Sequence, residues 1–303
     1  MSDMATPKSV PAAAAHEQRS SEYTGRIAQR FRELSARGEL GLVAYVTAGD
    51  PSLDATEQII VAAAESGADV IELGVPFSDP VADGPTIQRA SDRALRSGTT
   101  LAGVIDLVRR LRARTSAVAA NVPLILFSYF NPILQMGIAK FADAAAAAGA
   151  DGVLVTDLTP DEAAEYLAAM RARNLDTVFL AAPTSTDERL AKIAACSSGF
   201  LYLISRTGVT GTRDSLPEEL PALARRVRRF TKLPLAVGFG ISQPEHVSVL
   251  GGIADAAVVG SAIVAEIEKS TSAKEAAAKV AGLIRSLKDA ARSGISRRLP
   301  DER

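Results

Sequence analysis

The stretch VIELGVPFSDPVADGPTIQRA, residues 70–90, sets acidic groups where folding alone would not ask for them. Glu72 interrupts an apolar run of Val70, Ile71, Leu73 and Val75, and a Pro- and Asp-rich loop with Asp79 and Asp83 follows. A carboxylate buried without a partner either carries a large desolvation cost or gives up its charge. A carboxyl whose pKa is raised in that way can transfer protons near neutrality, and two carboxyls in unlike surroundings can divide acid and base roles. The same residues admit plainer readings. Glu72 could pair with an arginine inside the core, Asp83 could simply form a turn in ADGP, and Glu72, Asp79 and Asp83 together could hold a hard cation.

Other chemistries are removed by position or composition. The eight lysines, Lys8, Lys140, Lys192, Lys232, Lys269, Lys274, Lys279 and Lys288, all fall away from the C-terminal ends of the expected strands, where a Schiff-base amine would have to stand. His16 lies near the N-terminus and His246 in a short expected helix, so neither histidine occupies a catalytic position. The motifs G-x-S-x-G and H-E-x-x-H are absent. A single cysteine, Cys196, rules out an internal disulfide and multi-cysteine metal cages and suits a small core position.

Carboxylate chemistry of this kind needs a scaffold, and the apolar runs supply one. They are GLVAYVTAG (41–49), ADVIELGVPF (68–77), VPLILFSYFN (122–131), DGVLVTDL (151–158), TVFLAAPT (177–184), GFLYLIS (199–205), LPLAVGFG (233–240) and AAVVGSAIV (256–264). Ala-rich segments with helical spacing separate them, opened by Asp50-Pro51, Thr159-Pro160 or Ser242-Gln243-Pro244 and closed by Gly67, Gly149 and Gly199. The interval 78–121 has room for an additional helix over 85–97 ahead of one over 101–114.

Eight strand–helix units with near-continuous apolar strands predict an α/β fold, a single (β/α)8 TIM barrel with additional helices. An open doubly wound sheet is the competing architecture, but VTAGDPSLDA after the first run lacks G-x-G-x-x-G. The predicted organisation is a disordered tail over 1–20, one barrel domain over 21–290 and a disordered tail over 291–303.

In such a barrel the catalytic groups belong at the C-terminal strand ends. There GFGIS (238–242) and VGSAIV (259–264) place glycines ahead of helices, exposing backbone N–H groups to an anion. The loop SRTGVTGTRDS (205–215) reads either as a closing lid or as an ordinary flexible connection. Lys and Arg total 34 against 35 Asp and Glu, so no net field exists to hold nucleic acid or an anionic membrane. The arginine clusters 109–114 and 225–229 read as solvated helix faces. With no apolar stretch long enough to cross a bilayer and no continuous apolar core in the first twenty residues, the expectation is a soluble, cytoplasmic protein.

Taken in order on this pattern, ELGVPFSDPVADGPTIQ, YLISRTGVTGTR, GFGIS and GSAIV closely resemble the α-subunit family of tryptophan synthase over about residues 24–285. The resemblance implies a lyase of tryptophan biosynthesis, cleaving indole-3-glycerol phosphate to indole and glyceraldehyde 3-phosphate by retro-aldol chemistry. Glu72 then matches the family's general acid/base and Asp83 the carboxylate that contacts the indole N–H. Tyr202 matches a residue near Glu72, and Thr210 and Gly211 belong to the lid. Backbone N–H groups of Gly211, Phe239, Gly240, Gly260 and Ser261 match the phosphate cradle, and Tyr45, Phe127, Leu154 and Leu180 the indole pocket. The family often has Phe at position 45 and a smaller residue at 156, where this chain has Tyr45 and Thr156.

The resemblance also implies a partner, the β subunit, in an α2β2 complex. Asp79, Pro80, Asn131 and Pro132 match loop positions near that contact. Pyridoxal phosphate would belong to the partner, and this chain would hold no cofactor and no metal. Two rival readings are another phosphate-binding barrel, such as a phosphosugar isomerase, and a non-catalytic barrel that only binds and activates a partner.

Overall fold

The computed structural model describes residues 25–204, 219–238 and 240–293. The expected tail 1–20, most of the expected tail 291–303, the loop 205–215 and Phe239 lie outside the described residues.

The apolar runs become strands covered on both faces. They are β1 (Gly41–Thr47), β2 (Val70–Gly74), β3 (Leu124–Ser128), β4 (Gly152–Val155), β5 (Asp176–Val178), β6 (Leu180–Ala181), β7 (Leu201–Ile204), β8 (Leu235–Gly238) and β9 (Ala256–Val259). Among the described residues these nine form one sheet in the order β5-β4-β3-β2-β1-β9-β8-β7-β6. Every pairing is parallel. The eight expected runs account for all nine, because the run 177–184 is split at Phe179, with β5 pairing to β4 and β6 to β7. The chain changes neighbour at that residue, whose carbonyl still accepts from Tyr202 N at 3.2 Å. Since β5 and β6 belong to one continuous stretch, the two ends of the sheet meet and the barrel closes.

Helices follow the strands on the outside: α2 (Leu53–Glu65), α3 (Pro85–Arg96), α4 (Leu101–Arg112), α5 (Ala117–Asn121), α6 (Phe130–Met136), α7 (Ile138–Ala148), α8 (Ala164–Ala172), α9 (Asp187–Cys196), α10 (Leu220–Arg228), α11 (Pro244–Val249), α12 (Ser261–Glu268) and α13 (Ala273–Ser293), after an initial α1 (Arg26–Arg37). The extra helix expected over 85–97 is α3. Helix α13 continues through 291–293, expected in the tail, because Ala291 is buried on the same face as Ile284 and Leu287. The expected caps differ: Pro244 opens α11 without a side-chain cap from Ser242 or Gln243. Ser52, rather than Asp50, caps α2 by accepting from Ala55 N at 3.1 Å, and α8 starts at Ala164, after Thr159-Pro160. Asp50 is instead held by Arg93 through two contacts of 2.8 Å.

Alternation along the strands produces two cores. Leu42, Val46, Leu73, Leu126 and Val237 pack outward under the helices. Val43, Val70, Ile125, Leu154 and Ala236 point into the barrel. The lower end of that interior is closed by α1, a helix outside the strand–helix count, whose Ile27, Phe31 and Leu34 join the inner core at helical spacing. Gly38 ends it in the left-handed region at φ 63°.

The same lower rim carries a fourfold repeat. Asp69, Asp151, Ser198 and Asp255 each donate their backbone N–H to a residue near the start of the preceding apolar run, at 2.8, 2.9, 2.7 and 2.8 Å. Each side chain accepts the N–H of that same residue, Leu42, Leu124, Thr177 or Leu235, at 2.8, 2.8, 3.0 and 2.7 Å. These clamps tie neighbouring strands together at their N-terminal ends and satisfy N–H groups that the ladder leaves over.

Candidate active site

Glu72 is the third residue of β2, in register with Tyr45 of β1 and Ile125 of β3. The pleat turns it inward with Val70, so it is fully buried in the barrel. Neither carboxylate oxygen has a hydrogen-bond partner among the described residues. Burial alone raises its pKa from 4.5 to about 8. The arginine pairing that would have made it structural is therefore absent among those residues.

Asp83 comes from the loop after β2. Its backbone N–H donates to Pro80 O at 3.0 Å, so it does form the expected turn, and Gly84 and Pro85 then start α3. The turn also aims its side chain inward, leaving Asp83 only 8% exposed. Burial lifts its pKa to about 6, opposed by a hydrogen bond from the Tyr129 hydroxyl at 3.0 Å. One carboxyl is thus dry and unpartnered while the other is nearly as dry and hydrogen-bonded.

The aromatic and aliphatic positions converge on the same space. Tyr45 meets Phe127 edge-on with ring centroids 5.2 Å apart. Phe127 is in register with Leu154 and Leu180 with Tyr202, and all four belong to the inner cluster. Burial first, then the charges of Glu72 and Asp83, holds the Tyr202 phenol well above its ordinary value. Tyr45 is pushed up in the same way, by burial, then Asp83, with a smaller contribution from Glu72. These field effects act at short range, so both phenols and both carboxyls share the upper barrel. Glycine makes the room: a Cβ on Gly74 would stand 2.1 Å from the Tyr45 hydroxyl, and one on Gly238 2.3 Å from that of Tyr202.

At the Gly-rich rim, Gly240 has φ 84°, a backbone that side chains rarely adopt. Gly260 sits at the N-cap of α12 without a side-chain cap, Ser261 opens the helix, and a Cβ on Gly260 would lie 3.5 Å from the Tyr45 Cβ. An anion here would meet a helix N-terminus directly beside the ring pocket. Thr210, Gly211 and Phe239 lie outside the described residues. His246 is buried on α11, and its Nδ1 accepts from Ser242 N at 3.3 Å, which ties the helix to the residues that lead into it.

Asp79 and Pro80 lie in the segment that leaves β2, and Asn131 and Pro132 in the one that leaves β3, with Asp79 and Asn131 exposed. Asp79 and Pro80 line a groove of about 450 Å³ with Phe77, Val81, Gln88 and Arg89. Val81 is 80% exposed and Leu134, close to Pro132 in the chain, 49%. Among the described residues no three His, Cys, Asp or Glu side chains converge to hold a metal ion, so Glu72, Asp79 and Asp83 do not form the cation site considered from sequence.

Sequence reasoning missed Tyr129. Its hydroxyl touches Asp83 and the Ala82 amide, and its ring lies on Phe77 at 5.0 Å. The available signal was a tyrosine directly after a strand's C-terminal end.

The chain matches the family model "Tryptophan synthase alpha chain" over residues 31–292. It is 51% identical over 263 residues to the tryptophan synthase alpha chain of Solibacter usitatus, covering 87% of this chain and 97% of that one. To the one from Citrifermentans bemidjiense it is 49% identical over 269 residues, covering 89% and 98%. A tryptophan synthase structure from Mycobacterium tuberculosis superposes with a TM-score of 0.81 at 35% identity, covering 89% of this chain and 99% of that chain. The tryptophan synthase subunit alpha of Legionella pneumophila gives 0.79 at 36% identity, covering 89% and 99%. With 97% and 98% of the curated relatives spanned at about half identity, and the barrel and its acidic interior in place, the chain belongs to the tryptophan synthase alpha chain family.

Proposed function

We propose that this chain is the lyase that cleaves indole-3-glycerol phosphate to indole and glyceraldehyde 3-phosphate, with Glu72 and Asp83 as its catalytic residues. The observation that carries the proposal is the Glu72 carboxyl, fully buried and without a hydrogen-bond partner among the described residues, inside the ring that also holds Asp83. Without charge or partner, this group is held protonated near neutrality and ready to donate.

Cleavage breaks the bond between C3 of the indole and the glycerol side chain. C3 must gain a proton, and the adjacent side-chain hydroxyl must lose one as its carbon becomes the aldehyde. Glu72 supplies the first proton and its carboxylate accepts the second, so the residue ends as it began. Protonation at C3 places positive charge on the ring nitrogen, and ionised Asp83 beside the N–H stabilises that charge as it grows. Tyr45, Phe127, Leu154, Leu180 and Tyr202 hold the ring and exclude water. Gly240, Gly260 and Ser261, with Gly211, Phe239 and a lid carrying Thr210, hold the phosphate.

The partner in this reading is a β subunit that receives the indole in an α2β2 complex and carries the pyridoxal phosphate. The rim groove around Asp79 and Pro80, with Asn131 and Pro132 beside it, is the contact surface, and exposed Val81 and Leu134 supply apolar area for it. Indole release from indole-3-glycerol phosphate by the purified chain, with and without that partner, tests the assignment. Glu72→Gln and Asp83→Asn should each lose cleavage severely while partner binding persists. Release of a sugar-phosphate isomer and no indole would overturn it.

A further inference from the structure

We infer that Tyr129 is a positioning residue for Asp83, fixing the direction of its carboxylate through a hydroxyl shared between the loop after β2 and the chain leaving β3. The inference rests on the role proposed above for Asp83. The hydroxyl donates to Asp83 Oδ2 at 3.0 Å and accepts from Ala82 N at 2.9 Å. An amide can only donate, so it occupies the oxygen's acceptor side and leaves the phenol proton to the carboxylate. The two contacts therefore select one orientation of the proton and one of the carboxylate.

The tyrosine is itself held in place. It is 3% exposed, and its ring lies on Phe77 with centroids 5.0 Å apart. Its carbonyl accepts from the Ser128 hydroxyl at 2.8 Å, and the next amide, Phe130 N, donates to Asp157 Oδ1 at 2.7 Å. A side chain fixed at ring and backbone can hold a loop carboxylate that otherwise rests on one turn. The same hydroxyl joins the loop carrying Asp79 and Pro80 to the segment carrying Asn131 and Pro132, so both halves of the outer rim reach Asp83 through it. The titratable groups coupled directly to this pair are Tyr45, Tyr202 and Asp157, and Glu72 meets it only through the fields on the two phenols.

The test is Tyr129→Phe in the full chain with its partner subunit, read as indole release from indole-3-glycerol phosphate between pH 5 and 9. Phenylalanine keeps the ring on Phe77, and a thermal melt verifies the fold. Losing a charge-assisted hydrogen bond should lower kcat about 10- to 100-fold at pH 7 and move the acid limb of the pH profile upward by about one unit. In an Asp83→Asn background the same substitution should change the residual rate by less than about twofold, since the two act through one carboxylate. Wild-type kcat and an unmoved acid limb in Tyr129→Phe, with Asp83→Asn severely impaired, would overturn the inference and leave the role of Asp83 standing. An equal loss at all pH values, repeated in the Asp83→Asn background, would also overturn it. Full activity of Asp83→Asn would remove both.

Discussion

Tyr45 and Glu72 are register partners on adjacent parallel strands, yet the phenol and the carboxyl make no hydrogen bond to each other. The Tyr45 oxygen instead lies 3.4 Å from the Thr47 hydroxyl, over Gly74. The phenol that could donate a hydrogen bond to Glu72 is engaged elsewhere, and burial keeps the acid's pKa raised. A protein selecting only for stability would have closed that contact or replaced the acid with an aliphatic residue.

The first consequence is a bell-shaped pH profile. The proposed chemistry needs Glu72 protonated at the start, with a pKa of about 8, and Asp83 ionised, with a pKa of about 6. Activity as kcat/KM should rise as pH passes about 6 and fall as it passes about 8, as macroscopic values of the pair. A profile flat from pH 5 to 10 would contradict this division of roles.

The second concerns stability, and its sign is opposite to that of a salt-bridged carboxylate. Folding raises the Glu72 pKa from 4.5 to about 8. The unfolded chain therefore ionises above 4.5 while the folded chain stays neutral, so stability present below 4.5 is lost as pH rises toward 8. Glu72→Gln, neutral throughout, should be more stable than the parent by up to roughly 3 kcal/mol at pH 7 and nearly equal to it at pH 4. Urea unfolding at the two pH values measures the difference. A glutamine variant less stable at pH 7 would mean that the carboxyl is partnered in solution.

Glu72 and the barrel were legible because both follow from periodicity. An acid inside a buried strand can be recognised from the strand alone, and its direction follows from the alternation with Val70. Other features depend on contacts that periodicity does not encode. The break at Phe179 arises where one stretch changes neighbour, and α1 matters because it fills the barrel's lower end. Asp50 precedes a proline like a cap, but Arg93, distant in sequence, takes its carboxylate. Tyr129 escaped for the same reason: past the last strand residue, side-chain direction is set by the loop opposite, here Ala82 and Asp83.

A third prediction tests the room that glycine makes for the pocket. Gly238→Ala would put a Cβ 2.3 Å from the Tyr202 hydroxyl and 2.9 Å from its Cζ, so the ring must shift, and in the proposed reading it shifts within the pocket that holds the indole. Indole release should fall about 10- to 100-fold, with KM rising. Because the hydroxyl makes the worst contact, Tyr202→Phe in the Gly238→Ala background should recover part of the loss. Failure of the double variant to improve on Gly238→Ala would show that the phenol is not what the methyl displaces.

The last prediction separates the lower rim from the chemistry. Asp151 accepts from Leu124 N at 2.8 Å and pairs with Arg112 at 2.5 Å and Arg26 at 2.8 Å, with only 7% of its side chain exposed. Asp255 makes the matching contact to Leu235 N at 2.7 Å and pairs with Arg228, but its side chain is 42% exposed. Truncation at the first site strands an amide and the Arg112 guanidinium in a dry place, whereas at the second water can replace the carboxylate. Asp151→Ala should therefore cost about 3 kcal/mol in urea unfolding and Asp255→Ala about 1 kcal/mol. Both should release indole at the parent rate under folding conditions, because the clamps sit at the strand starts, whereas Asp83, Gly240 and Gly260 stand beyond the strands' C-terminal ends. Equal costs at the two sites would show that burial does not set the strength of these clamps, and a lost rate in a fully folded Asp151→Ala would show that the two rims are coupled.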